Sequence, residues 1–112
     1  MIGIDIVDVV RIQAFIQKPS FLQGVFAESE IAYSLQNGKQ TETLAGLYAA
    51  KEAFCKAIGT GITRRLCEIE IGHSALGQPF FITNKHTQDY EGKLHLSITH
   101  TKDLAVAVCV VF

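Results

Sequence analysis

TETLAGLYAAKEAFCKAI, residues 41–58, is the stretch whose reading decides the fold. A threonine opens it with Glu42 in the first turn, strong helix formers fill it, and Gly59 stops it, so the pattern predicts a helix over 41–58. At about 100° per residue, Leu44, Leu47, Tyr48, Phe54, Cys55 and Ile58 share one broad apolar stripe. Gly46, Ala49, Ala50, Ala53 and Ala57 share another. A face of glycine and alanine admits something at close range: a strand, a second subunit or a ligand. Glu52 and Lys56 lie four apart on the arc between the faces. They read either as a solvated helix pair, with a stabilisation of about 0.2–0.5 kcal/mol, or as a carboxylate and an ammonium carried together into a crevice. Lys51 falls inside the apolar stripe, an angle expected of a lysine snorkelling outward along its stem.

Working outward, Gly59-Thr60-Gly61 is a tight turn, and the C-terminal half beyond it is rich in strand-forming residues. Strands are expected at 67–71 (CEIEI), 79–83 (PFFIT), 93–100 (KLHLSITH) and 104–112, with Thr101-Lys102-Asp103 closing the last two into a hairpin. Residues 84–91 are open between a short helix and a loop. Before the long helix, IGIDIV at 2–7 reads as a strand. A short helix is expected next, at about 9–17, stopped before Pro19, and another at 28–35 (ESEIAYSL), opened by acidic residues and ended by Asn37-Gly38. The order predicts an α+β fold: an N-terminal strand, short helices and one long helix packed on a mainly antiparallel sheet.

A chain of 112 residues is one domain by size, residues 1–112, near the low end for an independent core. A formal net charge of −1 gives no global basic field for nucleic acid and no polybasic tail for a membrane. Three widely spaced cysteines form no disulfide framework and point to a reducing compartment. The N-terminus lacks the basic region of a signal peptide. The longest apolar run, 104–112, falls well short of the roughly 20 residues a membrane helix needs. A cytoplasmic location is expected.

Two further features carry chemistry. Asp5 lies in the middle of an apolar strand, which is costly unless the carboxylate is paired or metal-bound, and alternation turns it away from Ile4 and Ile6. Asp8, at the strand end, reads as the cap of the next helix. Ser97-Ile98-Thr99-His100 alternates polar and apolar residues, with its histidine beside the hairpin turn. His73, His86 and His95 read as surface or core filler. There is no H-E-x-x-H and no C-x-x-C, which argues against a hydrolase with histidine and cysteine metal ligands. A small interaction module with structural Asp5 and Glu52 is the non-enzymatic alternative.

Taken in order, GIDIV at 3–7, LAGLYAAKEAFCKAIGTGI at 44–62, EIEI at 68–71, GQP at 77–79 and LSITHT at 96–101 resemble the holo-(acyl-carrier-protein) synthase family of 4′-phosphopantetheinyl transferases. The resemblance spans essentially the whole chain. It implies that fold, and transfer of the phosphopantetheine arm of coenzyme A to a serine of apo-acyl carrier protein, with release of adenosine 3′,5′-bisphosphate. It implies Mg²⁺ held by Asp5 and Glu52, with these two and Lys56 as the catalytic set. Lys56, Gly59, Thr60, Gly61, Pro79, Thr99 and His100 would bind the coenzyme. The family's assembly implies a homotrimer with sites between subunits. Two departures stand out. Leu47 replaces the arginine that usually follows L-A-G, and the usually arginine-rich segment after the first helix retains only Lys18. Arg11 and Lys18, helped by Arg64 and Arg65, are the expected docking cations for an acidic carrier.

Overall fold

Gly3 explains how the long helix meets the sheet. A Cβ built there would lie 2.0 Å from the Ala53 carbonyl oxygen and 2.6 Å from the Ala57 nitrogen. The N-terminal strand, β1 (Ile2–Asp8), therefore rests directly on the alanine face of the helix, which runs Gln40–Ile58. The glycine and alanine face of the helix is thus an intramolecular strand seat. Gly46 serves the same purpose at the other end, where a Cβ would meet Ile98 Cγ2 at 2.9 Å.

The computed structural model describes residues 1–61 and 65–112. In chain order, β1 is followed by α1 (Val9–Phe15), α2 (Pro19–Val25), α3 (Glu28–Ser34) and the long helix α4 (Gln40–Ile58). A 3₁₀ turn at Leu66–Glu68 leads to β2 (Ile71–His73) and β3 (Pro79–Phe81), and a second at Gln88–Tyr90 leads to β4 (Leu94–His100) and β5 (Leu104–Val111). The larger sheet is antiparallel in the order β1-β5-β4, and β2-β3 is a separate antiparallel ribbon. The expected α+β class, the long helix and the closing hairpin are all present. No helix among the described residues is long and apolar enough to cross a membrane.

Four expectations need correction. The helix expected at about 9–17 ends at Phe15, and Pro19 begins α2 instead, because a proline at the first helical position lacks only an N–H that would have had no partner. The alternating CEIEI is not a strand over 67–71. The carbonyls of Leu66 and Ile69 are taken by the Lys51 ammonium, each at 2.9 Å, and the backbone winds into a 3₁₀ turn before β2. Asp8 occupies the cap position of α1 but makes no side-chain cap bond. Instead, the Val9 N–H donates to the Asp103 carbonyl at 2.9 Å, tying the start of α1 to the β4–β5 turn.

Lys51 does not snorkel. Its side chain is fully buried, and its ammonium donates to Glu30 Oε1 at 2.7 Å as well as to the two carbonyls. Glu30 in turn accepts the N–H groups of Ala27 and Ile71. A helix, a 3₁₀ turn and a strand are pinned around one satisfied charge pair, which is the condition for burying charge at all.

The sheet's faces are unlike. Toward α4 it presents Gly3, Asp5, Val7, Ala105, Ala107, Cys109 and Ile98. Away from α4, Ile2, Ile4 and Ile6 are 69, 61 and 62 % exposed, and the register sets them beside Val110, Val108 and Val106. A contiguous apolar face of this kind marks a contact surface.

Candidate active site

Strand alternation turns Asp5 toward α4, and its position in β1, between Gly3 and Val7 on the same face, sets the carboxylate against the helix. The Asp5 side chain is 15 % exposed. Lys56 reaches across to it, donating to Asp5 Oδ1 at 3.0 Å and to the Ile4 carbonyl at 3.1 Å. Lys56 thus closes a carbonyl on the sheet edge and neutralises one oxygen of Asp5. The Glu52–Lys56 spacing left two readings open, and the ammonium resolves them by turning to the strand.

Glu52 is half-buried on the same side of α4. Tyr48 lies one helical turn earlier. Burial foremost, then Glu52 through charge and hydrogen bond, raises the Tyr48 phenol above its usual range, with Asp5 adding to the rise and Arg11 opposing it. The Lys56–Asp5 pair joins α4 to β1, with Glu52 one helical turn before Lys56.

The donor set suits a hard divalent cation. It is all oxygen, from two carboxylates on two rigid elements, and Lys56 holds only one oxygen of Asp5. Among the described residues no group of three or more His, Cys, Asp or Glu side chains is placed to hold an ion. The site is therefore not a closed cage. Mg²⁺ is commonly held by one or two carboxylates, with phosphate oxygens and waters completing its octahedron.

The remaining predicted residues lie elsewhere on the chain. Gly59 and Gly61 have φ of 75° and 62°, so the turn after α4 needs their left-handed backbone, and Thr60 between them is exposed. Pro79 and His100 line a cleft of about 180 Å³ with Leu47, Gly46, Glu42 and Tyr33. His100 Nδ1 lies 3.7 Å from Glu42 Oε2. Beside the cleft, Tyr33 and His73 stack at 3.8 Å between centroids and 3° between planes. Thr99 alternates to the opposite face of the sheet from Ile98, level with Val106. Within one chain Asp5, Glu52 and Lys56 lie on the β1 side of α4, Pro79 and His100 line the cleft on the β4 side, and Thr99 stands on the other face of the sheet.

Arg11 and Lys18 do converge, although α1 ends at Phe15. Arg11 Cζ lies 5.3 Å and Lys18 Nζ 5.8 Å from the centroid of the Phe15 ring. Arg65 is exposed ahead of the first 3₁₀ turn, and Arg64 lies outside the described residues.

Known proteins share this sequence pattern and fold. The family model described as the 4′-phosphopantetheinyl transferase superfamily matches residues 1–109. The chain belongs to this superfamily. A holo-(acyl-carrier-protein) synthase of Bacillus cereus is 41 % identical over 111 residues, covering 95 % of this chain and 89 % of that one. The crystal structure of the Helicobacter pylori synthase in complex with coenzyme A superposes with a TM-score of 0.87 at 35 % identity over the whole of both chains. That of a Bacillus anthracis synthase, in complex with CoA (3′,5′-ADP), gives 0.82 at 38 %, covering 98 % of this chain and 93 % of that one.

Against that transferase background, the sequence reading missed Glu42 and the Glu30–Lys51 pair. Glu42 meets His100 only through the tertiary fold, so no local signal announces it.

Proposed function

We propose that this chain, as a single domain of residues 1–112, is a holo-(acyl-carrier-protein) synthase that transfers 4′-phosphopantetheine from coenzyme A to a serine of apo-acyl carrier protein. The observation that carries the reading is the Lys56–Asp5 pair, one helical turn from Glu52, in a chain that matches this family over residues 1–109. In the reaction the serine oxygen forms a bond to the β-phosphorus, and the bond from that phosphorus to the oxygen bridging to the adenosine side breaks. Adenosine 3′,5′-bisphosphate leaves with the electron pair, and the serine proton passes to Glu52 or to a water it holds.

Asp5 and Glu52 would hold Mg²⁺, which supplies charge neutralisation on the pyrophosphate. Lys56, 55 % exposed and with one N–H beyond those given to Asp5 and Ile4, can donate to a phosphate oxygen at the same place. Such chemistry is mainly positioning and electrostatics, which two rigid elements are suited to provide. Gly59, Thr60 and Gly61 offer backbone and hydroxyl groups one turn beyond Lys56. Pro79, Thr99 and His100 would serve the adenosine side from a neighbouring copy. The separation of the two residue groups on either side of α4, together with the exposed Ile and Val face, favours a homotrimer with sites between subunits. Arg11 and Lys18 would dock the acidic carrier. A cytoplasmic location accords with such substrates.

The test is intact mass. Apo-carrier incubated with coenzyme A, Mg²⁺ and this protein is expected to gain one phosphopantetheine arm, and a chelator should prevent it. No mass gain with any apo-carrier would defeat the reading and favour a non-catalytic homologue. Sedimentation at equilibrium tests the trimer separately.

A further inference from the structure

The cleft on the β4 side of α4 holds two of the residues assigned to the adenosine side, and its charge does not suit the whole of coenzyme A. Its volume is about 180 Å³, and Glu42, Leu47, His73, Pro79 and His100 are among its walls. Among the described residues that line it there is no lysine and no arginine. Leu47 is apolar and fully buried. Burial lowers the His73 pKa from its ordinary value of 6.5, so this ring brings no charge at neutral pH. Any positive charge on His100 faces Glu42, whose Oε2 lies 3.7 Å from Nδ1. Lys39 lines a different hollow, with Val9 and Gln13, and Glu42 is the residue that the two hollows share. The N-terminal partial charge of α4 would favour an anion, but Glu42 in its first turn already answers it.

We propose that this cleft receives the ribose without reading a 3′-phosphate, so that the chain takes dephospho-coenzyme A as a donor about as well as coenzyme A, with the Glu42 carboxylate accepting from the ribose hydroxyls. The inference rests on the placement of the adenosine side beside Pro79 and His100. A phosphate monoester carries a charge of about −1.5 to −2 near pH 7. Seated beside Glu42, with no arginine or lysine to compensate, it meets a like charge. An unphosphorylated ribose instead presents hydroxyl donors at its 2′ and 3′ positions. In dinucleotide sites a carboxylate commonly marks a free ribose hydroxyl, and an arginine a phosphorylated one. The 3.7 Å between Glu42 and His100 is longer than a hydrogen bond, so the carboxylate is not spent on the imidazole. The chemistry is unchanged in kind. The serine oxygen bonds to the phosphorus that carries the pantetheine arm, and the bond from that phosphorus to the bridging oxygen breaks. Adenosine 5′-monophosphate leaves with the electron pair in place of adenosine 3′,5′-bisphosphate, and the serine proton passes to the same acceptor.

The measurement is kcat/KM for coenzyme A and for dephospho-coenzyme A, with the full chain, Mg²⁺ and one apo-acyl carrier protein, read as the mass gain of the carrier. The wild-type values are expected to differ by less than about 10-fold, since one charge-assisted hydrogen bond kept for the phosphate would alone give about 10-fold or more. Glu42→Arg, which exchanges the carboxylate for a phosphate-binding fork, is expected to move the ratio toward coenzyme A by about 10-fold or more. Glu42→Gln keeps the shape, covers the case in which the arginine does not fold, and should move the ratio the same way by a smaller factor. A wild-type preference for coenzyme A of about 10-fold or more overturns the proposal and leaves the transferase reading standing. An unchanged ratio in every Glu42 variant that folds separates the cleft from the ribose and overturns it too. No transfer from either donor overturns the transferase reading, and this inference with it.

Discussion

Two lysines five residues apart on α4 each meet a carboxylate, and their surroundings make them opposites. Lys51 and Glu30 are both fully buried at 2.7 Å, and every remaining bonding position points at backbone: Leu66 and Ile69 carbonyls on one side, Ala27 and Ile71 N–H groups on the other. Lys56 and Asp5 meet at 3.0 Å with side chains 55 % and 15 % exposed, and only one oxygen of Asp5 is engaged by the lysine. The first pair is closed and has nothing left to offer a ligand. The second is open, with an N–H and a carboxylate oxygen still to give. A charge pair on a helix is therefore informative about function through its unused valences.

Breaking the closed pair should have the largest effect. Lys51→Met is expected to destabilise the fold by about 3–5 kcal/mol in denaturant titrations, because Glu30 is left as an uncompensated buried charge. The double variant Glu30→Leu/Lys51→Met should not recover wild-type stability. It leaves three backbone groups without partners, the Ala27 and Ile71 N–H groups and the Ile69 carbonyl, at about 1–3 kcal/mol each where they stay dry, while the Leu66 carbonyl keeps the Ile69 N–H. Full recovery would show that the backbone bonds contribute little.

At the open pair the balance inverts. Asp5→Asn is expected to lower the transfer rate about 10²–10³-fold, while stability shifts by no more than about 1 kcal/mol, as for exposed ion pairs. A stability loss as large as that of Lys51→Met would place Asp5 with the structural pair. Smaller again, Arg11→Glu combined with Lys18→Glu should raise the KM for carrier several-fold and flatten its dependence on salt, with the KM for coenzyme A unchanged.

The smallest effect concerns pH and the far side of α4. Burial lowers the His73 pKa from its ordinary value of 6.5, so below about pH 6.5 the unfolded chain binds more protons than the folded one. Stability from this group is complete above that pH and declines as pH falls through it. Thermal midpoints of His73→Phe should show a shallower acid slope than wild type, with the aromatic stack on Tyr33 retained.

The helix that organises the fold was legible almost to the residue, because its start, its stop and its good helix formers agree. Asp5 was legible as an inward-facing carboxylate, because a strand has period two. Pro19 misled because a proline can start a helix as well as end one. CEIEI misled because the group that takes the carbonyls of Leu66 and Ile69, the Lys51 ammonium, is 15 and 18 residues away from them in sequence. The burial of Lys51 was hidden for the same reason, since its partner Glu30 lies on another helix. The outer face of β1 was visible as isoleucines, but only the sheet register shows them joined to the valines of β5 in one apolar surface.

That Asp5 and Glu52 share one ion is tested most directly by crystals of the protein with coenzyme A and Mn²⁺, measured at a wavelength where manganese scatters anomalously. A single anomalous peak within bonding distance of both Asp5 and Glu52, and in contact with the coenzyme's phosphates, is the predicted result. A peak ligated elsewhere, or well-ordered coenzyme with no peak between these two carboxylates, would contradict it.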